Sequence, residues 1–176
     1  MPRNPSRCVP IVAFLVIAAV AHGGSDPATV SITATVDTFA EWSDDSPVIA
    51  ADDWSGHITG INATITVTKA LTLYANVNVT ITPTTTLNDG ILTNGTDTLT
   101  TSYKITGDVG TPDATWKAAG TGAGEFFNVS NTYSVAHTAG DGSYAVNLLV
   151  QAVSPADKAA NSGDYTCNVV LTAAWS

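Results

Sequence analysis

Apolar residues alternate with Thr, Ser or Asn along most of the chain after residue 25. The pattern is clearest over residues 61–68 and 71–82, where Ile, Val, Leu or Ala occupies nearly every second position. Because successive side chains of a strand point to opposite faces, each run would form one apolar face and one hydroxyl-rich face. β-Branched Val, Ile and Thr also fit the pleated surface of a half-buried sheet. The sequence therefore predicts an all-β protein, an antiparallel β-sandwich.

Turn residues divide residues 25–176 into eight or nine short strands, as expected for one immunoglobulin-like or jelly-roll sandwich domain. Asn94-Gly95 and Asp141-Gly142 are the strongest turn signals, because Asn, Asp and Gly adopt positive φ readily. Lys69-Ala70 is expected to be a hairpin turn between the two runs named above. The predicted strands are residues 28–39, 58–68, 71–82, 99–105, 125–129, 132–138, 143–153 and 164–174, with loops at 107–124 and 154–163.

Residues 1–21 have the features of a secretory signal peptide. Arg3 and Arg7 form a basic start, residues 9–20 an apolar core, and residues 19–21 an Ala-x-Ala cleavage site. Cleavage is expected after residue 21, or as late as after residue 24. The apolar core is shorter than the about 20 residues that a membrane-spanning helix needs. We therefore expect a secreted or cell-surface protein without a membrane span in its mature form.

The chain is acidic, and its cysteines do not form a disulfide framework. The formal net charge is −9, and it becomes −11 once the two arginines of the signal peptide are removed. Such a surface repels phosphate backbones, which excludes nucleic acid as a partner. Cys8 lies in the signal peptide, so Cys167 is the one cysteine of the mature chain. Because Cys167 shares the apolar phase of the last strand, we expect it to be a buried small apolar residue.

No motif with catalytic spacing is present in the sequence. The patterns G-x-S-x-G, H-E-x-x-H, Walker A and G-x-G-x-x-G are absent, and there are three histidines. The sequence therefore predicts no catalytic residue and no bound cofactor. The leading hypothesis is a noncatalytic extracellular structural or adhesive subunit, whose partners are other copies of itself, other surface proteins or glycans.

His22 supports an alternative function as a copper-dependent enzyme or a copper-binding protein. Cleavage after residue 21 would make His22 the first residue, and its free α-amine and imidazole would together chelate Cu(II). Copper oxygenases that act on polysaccharides begin in this way and are also β-sandwiches. His22 together with His57 or His137 therefore resembles their histidine brace.

The segment from residue 40 to residue 57 combines acidic and aromatic side chains. Its clustered carboxylates are candidate oxygen ligands for Ca²⁺: Asp44, Asp45, Asp52 and Asp53. Trp42 and Trp54 flank them, and indole rings either stack on sugars or fill the core of a sandwich. A carbohydrate-binding module is therefore a second alternative. Glycans could also be attached at four Asn-x-Ser/Thr sequons, beginning at Asn62, Asn78, Asn94 and Asn128.

The end of the chain carries a family resemblance. Its last residues are Asn161-Ser-Gly-Asp-Tyr-Thr-Cys-Asn-Val-Val-Leu-Thr-Ala-Ala-Trp175, a Gly-x-Tyr opening followed by an alternating strand. This stretch resembles the last strand of fimbrial, spore-coat-U-like and related bacterial surface sandwich proteins. The resemblance implies a noncatalytic surface or assembly protein.

The first predicted strand has two possible partners. Residues 28–37 alternate regularly, and they could pair within their own domain or add to the sheet edge of a neighbouring molecule. In the second case backbone hydrogen bonds supply the affinity, and apolar side chains fill a groove of the neighbour. Those side chains would be Val30, Ile32, Ala34 and Val36. Strand addition of this kind would build a matrix or a filament.

Overall fold

A computed structural model describes residues 31–176 of the chain. Residues 38–176 form one compact unit, and residues 31–37 do not belong to it. Over residues 31–176 the structure has eight strands, two short 3₁₀ turns and no α-helix. The prediction of an all-β protein is therefore confirmed. The predicted signal peptide, residues 1–21, lies outside the described residues.

Eight antiparallel strands form two sheets. In chain order they are β1 (Ala40–Trp42), β2 (Thr64–Ala75), β3 (Val79–Thr84), β4 (Thr100–Gly107), β5 (Lys117–Ala118), β6 (Tyr133–Val135), β7 (Ser143–Val153) and β8 (Val170–Ala174). The larger sheet has the order β1-β2-β7-β4-β5, and the smaller sheet has the order β6-β3-β8. The 3₁₀ turns are Ala51–Asp53 and Asn88–Gly90. This arrangement supports the predicted β-sandwich class.

The inner faces of the two sheets share one apolar core. In β7 every second side chain from Tyr144 to Ala152 is buried, as the period of a strand requires. Ile81 of β3 and Val135 of β6 are buried in the same core from the opposite sheet. Burying one such side chain stabilises the fold by about 1.5–3 kcal/mol. The alternation seen in the sequence thus builds the contact between the sheets.

The predicted hairpin at Lys69-Ala70 is wrong. β2 continues through both residues and pairs with β7 from Thr64 to Tyr74 without a break. The apolar residues keep the same odd-numbered phase before and after Lys69, so nothing in the pattern interrupts the strand. The chain turns instead at residues 76–78, between β2 and β3.

Two of the predicted strands are also wrong in the described part of the chain. Residues 31–39, which fall in the predicted strand 28–39, form no strand, and the pairing begins only at Ala40. Residues 125–129 form turns, because the consecutive Phe126 and Phe127 are both buried, which a strand with alternating faces cannot achieve. The predicted loop at 107–124 contains β5.

The two strongest turn signals correspond to turns. At Asn94-Gly95 the glycine has a φ of +87°, and the Asn94 side chain accepts hydrogen bonds from the N–H groups of Thr96 and Asp97. At Asp141-Gly142 the N–H of Asp141 donates to the carbonyl of Thr138 at 2.9 Å. The second turn leads from β6 in the smaller sheet to β7 in the larger one, so it joins the two sheets.

Candidate functional site

A mainly apolar groove of about 480 Å³ opens beside β8, and we call it the β8 groove. It exists because the smaller sheet ends at β8, whereas the larger sheet continues through β2 to β1. Part of the inner face of the larger sheet is therefore not covered by a strand. The apolar and aromatic residues of the lining are Trp42, Pro47, Val48, Ile49, Trp54, Leu71, Leu92, Tyr103, Leu148, Val150, Tyr165, Cys167, Val169, Val170 and Leu171.

Residues 43–55 cross the outer edge of β2 and form one wall of the groove. The N–H of Ser43 donates to the carbonyl of Thr72, and the N–H of Ser55 donates to the carbonyl of Thr66. The ammonium of Lys69 donates to the carbonyl of Val48 at 2.8 Å. These bonds satisfy backbone groups that an edge strand would otherwise leave open. The β2 side of the groove is therefore closed by a loop.

The β8 side of the groove is an edge that no strand of residues 31–176 covers. Leu171 of β8 lies opposite Pro83 of β3, and proline has no N–H to donate. In an antiparallel ladder this makes a non-hydrogen-bonded pair, so the N–H and carbonyl of Leu171 point away from β3. Accordingly, the Leu171 carbonyl accepts a hydrogen bond from Trp42 Nε1 at 3.1 Å. Ala173, two residues further, has the same orientation.

The inner side of the last segment is only half covered. The side chains of the apolar phase from Tyr165 to Ala173 are all partly buried, and none is fully buried. The corresponding positions of β7 are fully buried, because β7 lies in the middle of its sheet. The difference in burial therefore marks the β8 groove as the incomplete side of the sandwich.

Trp42 and Trp54 both line the β8 groove and are half-buried. Trp42 is the last residue of β1, and Trp54 follows the first 3₁₀ turn; both pack against the main core. The sequence left open whether these indoles fill the core or bind a ligand. Their position at the rim of the groove is compatible with both roles.

The four candidate Ca²⁺ ligands are exposed and do not converge. Asp44 Oδ1 accepts a hydrogen bond from the N–H of Ser46, and Asp53 Oδ2 accepts one from the N–H of Ala50 at 2.7 Å. Asp44 and Asp45 lie at the groove, whereas Asp52 lies in the first 3₁₀ turn. Across residues 31–176, no three His, Cys, Asp or Glu side chains are close enough to hold one metal ion. Calcium binding stays a prediction.

The candidate copper ligands are separated along β7. His57 lines a second cavity, whose lining includes Ala152 near the end of β7, whereas His137 Nδ1 lies 2.8 Å from Tyr144 Oη near the beginning of β7. At about 3.4 Å per residue, Tyr144 and Ala152 are about 27 Å apart along β7. One ion therefore cannot bind both His57 and His137. His22 lies outside the described residues, and its role stays a prediction.

Cys167 is half-buried in the wall of the β8 groove. Its Sγ lies 3.3 Å from the hydroxyl of Tyr103, which itself donates a hydrogen bond to the carbonyl of Gly90. Burial raises the pKa of the Cys167 thiol, and the hydrogen bond with Tyr103 partly opposes this shift. The predicted apolar phase of Cys167 is correct, but Cys167 precedes β8, which begins only at Val170, and its burial is incomplete because it lines the open β8 groove.

The predicted assembly residues are exposed where the structure describes them. Ile32 and Val36 expose 84% and 77% of their surface, and Ala34 is exposed as well. Val30 lies outside the described residues. Residues 31–37 thus present their apolar side chains without burying them in a strand.

Two residues that shape the site were not predicted as site residues, although each carries a signal in the sequence: Pro83, which pairs with Leu171, and Lys69, which lines the β8 groove. Pro83 interrupts a regular strand pattern, and a proline there indicates a position without a ladder hydrogen bond. Lys69 occupies an apolar phase of β2, which indicates that the inner face is open at that point. The first signal concerns the β8 edge and the second the β8 groove.

No family model, curated protein or solved structure matches this chain. The resemblance of residues 161–175 to bacterial surface sandwich proteins therefore stays a prediction. Among residues 31–176 there is no helix of the length and apolar character needed to cross a membrane.

Proposed function

We propose that this chain is an exported, noncatalytic structural or adhesive subunit of a cell surface, matrix or filament. Residues 28–37 of one copy add to the β8 edge of the next copy. The observation that carries this proposal is a pair of complementary features. One is a sheet edge that no strand of residues 31–176 covers, and the other is the exposed, alternating segment that ends at residue 37.

The β8 edge offers what an added strand needs. Leu171 and Ala173 point their N–H and carbonyl groups away from β3, so a new strand can pair with them. Strand addition takes its affinity from such backbone bonds and its specificity from every second side chain. Ile32 and Val36 are four residues apart, so they lie on the same face of an extended strand. That face would be buried in the β8 groove.

The Trp42 side chain occupies part of the β8 edge to which the incoming strand would bind. Its Nε1 donates to the carbonyl of Leu171, one of the groups that an incoming strand would use. Addition of a strand therefore displaces this indole. Because the indole lies at the rim and is only half-buried, its displacement changes the environment of a tryptophan, and fluorescence can follow it.

The resemblance supports the same reading from another direction. Residues 161–175, which resemble the last strand of bacterial surface sandwich proteins, contain the whole of β8. The segment that carries the resemblance is thus the segment that carries the exposed edge.

A deletion and a peptide test the proposal. The mature chain should form oligomers that persist on dilution, and a variant lacking residues 22–37 should stay monomeric, both measured by light scattering. A peptide of residues 28–37 should bind the deletion variant and raise its Tm, whereas a control peptide with Ile32→Ser and Val36→Ser should not. A mature chain that stays monomeric at high concentration contradicts strand addition.

The β8 groove also favours a second candidate, carbohydrate binding. Trp42 and Trp54 line the same groove as Asp44 and Asp45, which places aromatic faces beside acceptors for sugar hydroxyls. A glycan array should then show binding that is lost in Trp42→Ala and Trp54→Ala. The copper hypothesis is tested separately, by N-terminal sequencing of the exported chain followed by titration with Cu(II).

A further inference from the structure

A polar cluster joins the two sheets on the side of the sandwich opposite the β8 groove. Lys117 of β5 donates from Nζ to Asp113 Oδ1 at 2.7 Å and to Asn131 Oδ1 at 2.5 Å. Asp113 Oδ2 accepts the hydroxyl of Tyr133 at 2.6 Å and the N–H of Ile105 at 2.9 Å. One amine, one carboxyl and one carboxamide are therefore held in direct contact.

The surroundings of the cluster restrict water. The Asp113 side chain is 6% exposed and that of Lys117 is 28% exposed, although both carry charge. Tyr133 is 2% exposed, and its ring lies below the Lys117 ammonium, which is 5.2 Å from the ring centroid. Burial and the hydrogen bond to Asp113 raise the pKa of the Tyr133 hydroxyl, so it stays protonated at neutral pH.

The carboxamide of Asn131 is fixed in the orientation that faces Lys117. Its Nδ2 donates to the carbonyl of Phe126 at 2.6 Å and to the hydroxyl of Tyr133 at 3.2 Å, so its Oδ1 points to the ammonium. An amine held against a carbonyl group in this way reacts as if at a very high local concentration.

We propose that Lys117 and Asn131 form an intramolecular amide cross-link. The Lys117 nitrogen, once deprotonated, attacks Cγ of Asn131; the new Nζ–Cγ bond forms, and the Cγ–Nδ2 bond breaks. Nδ2 leaves as ammonia. The step exchanges one amide for another, so it requires no oxidant, reductant or further reactant.

Asp113 and Tyr133 provide the route for the proton. Asp113 Oδ1 contacts the attacking nitrogen and takes its proton, as a general base. Asp113 Oδ2 contacts the hydroxyl of Tyr133, and that hydroxyl contacts Nδ2 of Asn131. A proton accepted at one end of this chain can therefore be delivered to the nitrogen that leaves.

The cross-link would tie the larger sheet to the smaller one. Lys117 belongs to β5 at the end of the larger sheet, and Asn131 lies two residues before β6 at the end of the smaller sheet. It would also close the loop between residues 117 and 131. This inference does not depend on strand addition, because it rests on contacts at the opposite side of the sandwich.

A second ion pair in the same protein provides a matched control. Lys158 Nζ lies 2.6 Å from Asp97 Oδ1, but within the described part of the chain no side-chain amide contacts that nitrogen. Lys158 therefore has a carboxylate partner and lacks the carboxamide that the reaction needs. Lys158→Arg should leave the cross-link unchanged.

Tryptic peptide mapping of the exported protein, without any further truncation, tests the cross-link proposal. Trypsin should fail to cut after Lys117, and the peptide of residues 105–158 should be lighter than its sequence by one ammonia. Fragmentation should place the bond between residues 117 and 131. In Lys117→Arg and in Asn131→Ala, the full mass should return. Lys117→Arg should also restore cleavage after residue 117, because trypsin cuts at arginine.

Further variants separate chemistry from packing. Tyr133→Phe and Asp113→Asn keep the shape of the cluster but should slow or prevent the loss of ammonia during incubation at neutral pH. Lys117→Arg keeps the positive charge and should lower the Tm by about 10 °C, since it opens the closed loop. Two results would overturn the proposal. The first is trypsin cleavage after Lys117, with Asn131 unchanged, after prolonged incubation. The second is a mass loss of one water instead of one ammonia, which would place the bond on Asp113.

Discussion

Replacing Ala173 with proline tests strand addition through a single N–H group. Ala173 pairs with Ile81 and, like Leu171, points its N–H away from β3. Proline should remove this donor and leave the bonds to β3 intact, since an edge strand accepts proline on its outer side. The added strand would lose one hydrogen bond, about 1 kcal/mol. It would also meet the proline ring, so its affinity should fall by about tenfold.

Thr172→Pro is the matched control one residue earlier. Thr172 faces Thr82 in a hydrogen-bonded pair, so proline there removes a bond within the smaller sheet. The loss should be about 2 kcal/mol, which lowers the Tm by about 6 °C. Ala173→Pro should leave the Tm almost unchanged.

The assay combines urea unfolding with anisotropy of a labelled peptide of residues 28–37, titrated with the variant that lacks residues 22–37. Weaker peptide binding by Ala173→Pro at unchanged stability supports addition at the β8 edge. Equal destabilisation by Ala173→Pro and Thr172→Pro would show that the orientation derived from Pro83 is incorrect. Unchanged peptide binding by a stable Ala173→Pro variant would refute the β8 edge as the acceptor.

Three further predictions concern the groove and the fold. Trp42→Phe frees the carbonyl of Leu171, so it should strengthen binding of the same peptide several-fold in the anisotropy titration. Gly90→Ala should cost about 3 kcal/mol in urea unfolding, because Gly90 has a φ of +74° and an added Cβ would overlap the ring of Phe127. Hydrogen bonds from a lysine and a backbone N–H hold the pKa of Asp97 below its usual range. Its contribution to stability should therefore be complete at neutral pH and lost as the pH falls through this lowered pKa, and Asp97→Asn should remove that part of the pH dependence of the urea midpoint.

The core could be predicted from the sequence because it depends on local periodicity. In β7 every second residue is buried along the whole strand, and each of these buried positions carries an apolar or aromatic side chain in the sequence. The wrong hairpin prediction at Lys69-Ala70 has a physical cause, since Lys69 puts a charged residue on the apolar phase of β2. β2 accommodates Lys69 because the Lys69 side chain lines the β8 groove and its ammonium donates a hydrogen bond to the carbonyl of Val48. A local pattern does not reveal such a non-local partner.

The site could be predicted only in part for the same reason. The alternation of residues 31–37 can be seen in the sequence. The free edge that would receive this segment, in contrast, depends on the strand order β6-β3-β8. The cluster of Lys117 and Asn131 depends on an approach between β5 and the turn before β6, and a separation of fourteen positions shows no period in the sequence. The sequence predicted a loop at 107–124, but Lys117 lies in β5 within that range, and the turn-forming residues there do not indicate what this segment contacts.

The two proposals, strand addition at β8 and a cross-link between Lys117 and Asn131, concern opposite sides of one sandwich. In a chain of subunits joined at β8, the pulling force would enter through β8 and leave through Phe39, next to β1. β1 and β8 lie on the same side, where Trp42 Nε1 donates a hydrogen bond to the carbonyl of Leu171 and so links the two sheets. Such a force tends to separate the two sheets at β1 and β8. The sheets would then rotate about a hinge at the opposite side, where β5 and β6 lie. An amide bond between β5 and the start of β6 would fix that hinge covalently. The pulling force would then act only on the β8 edge. At that edge, the added strand would itself close the β8 groove.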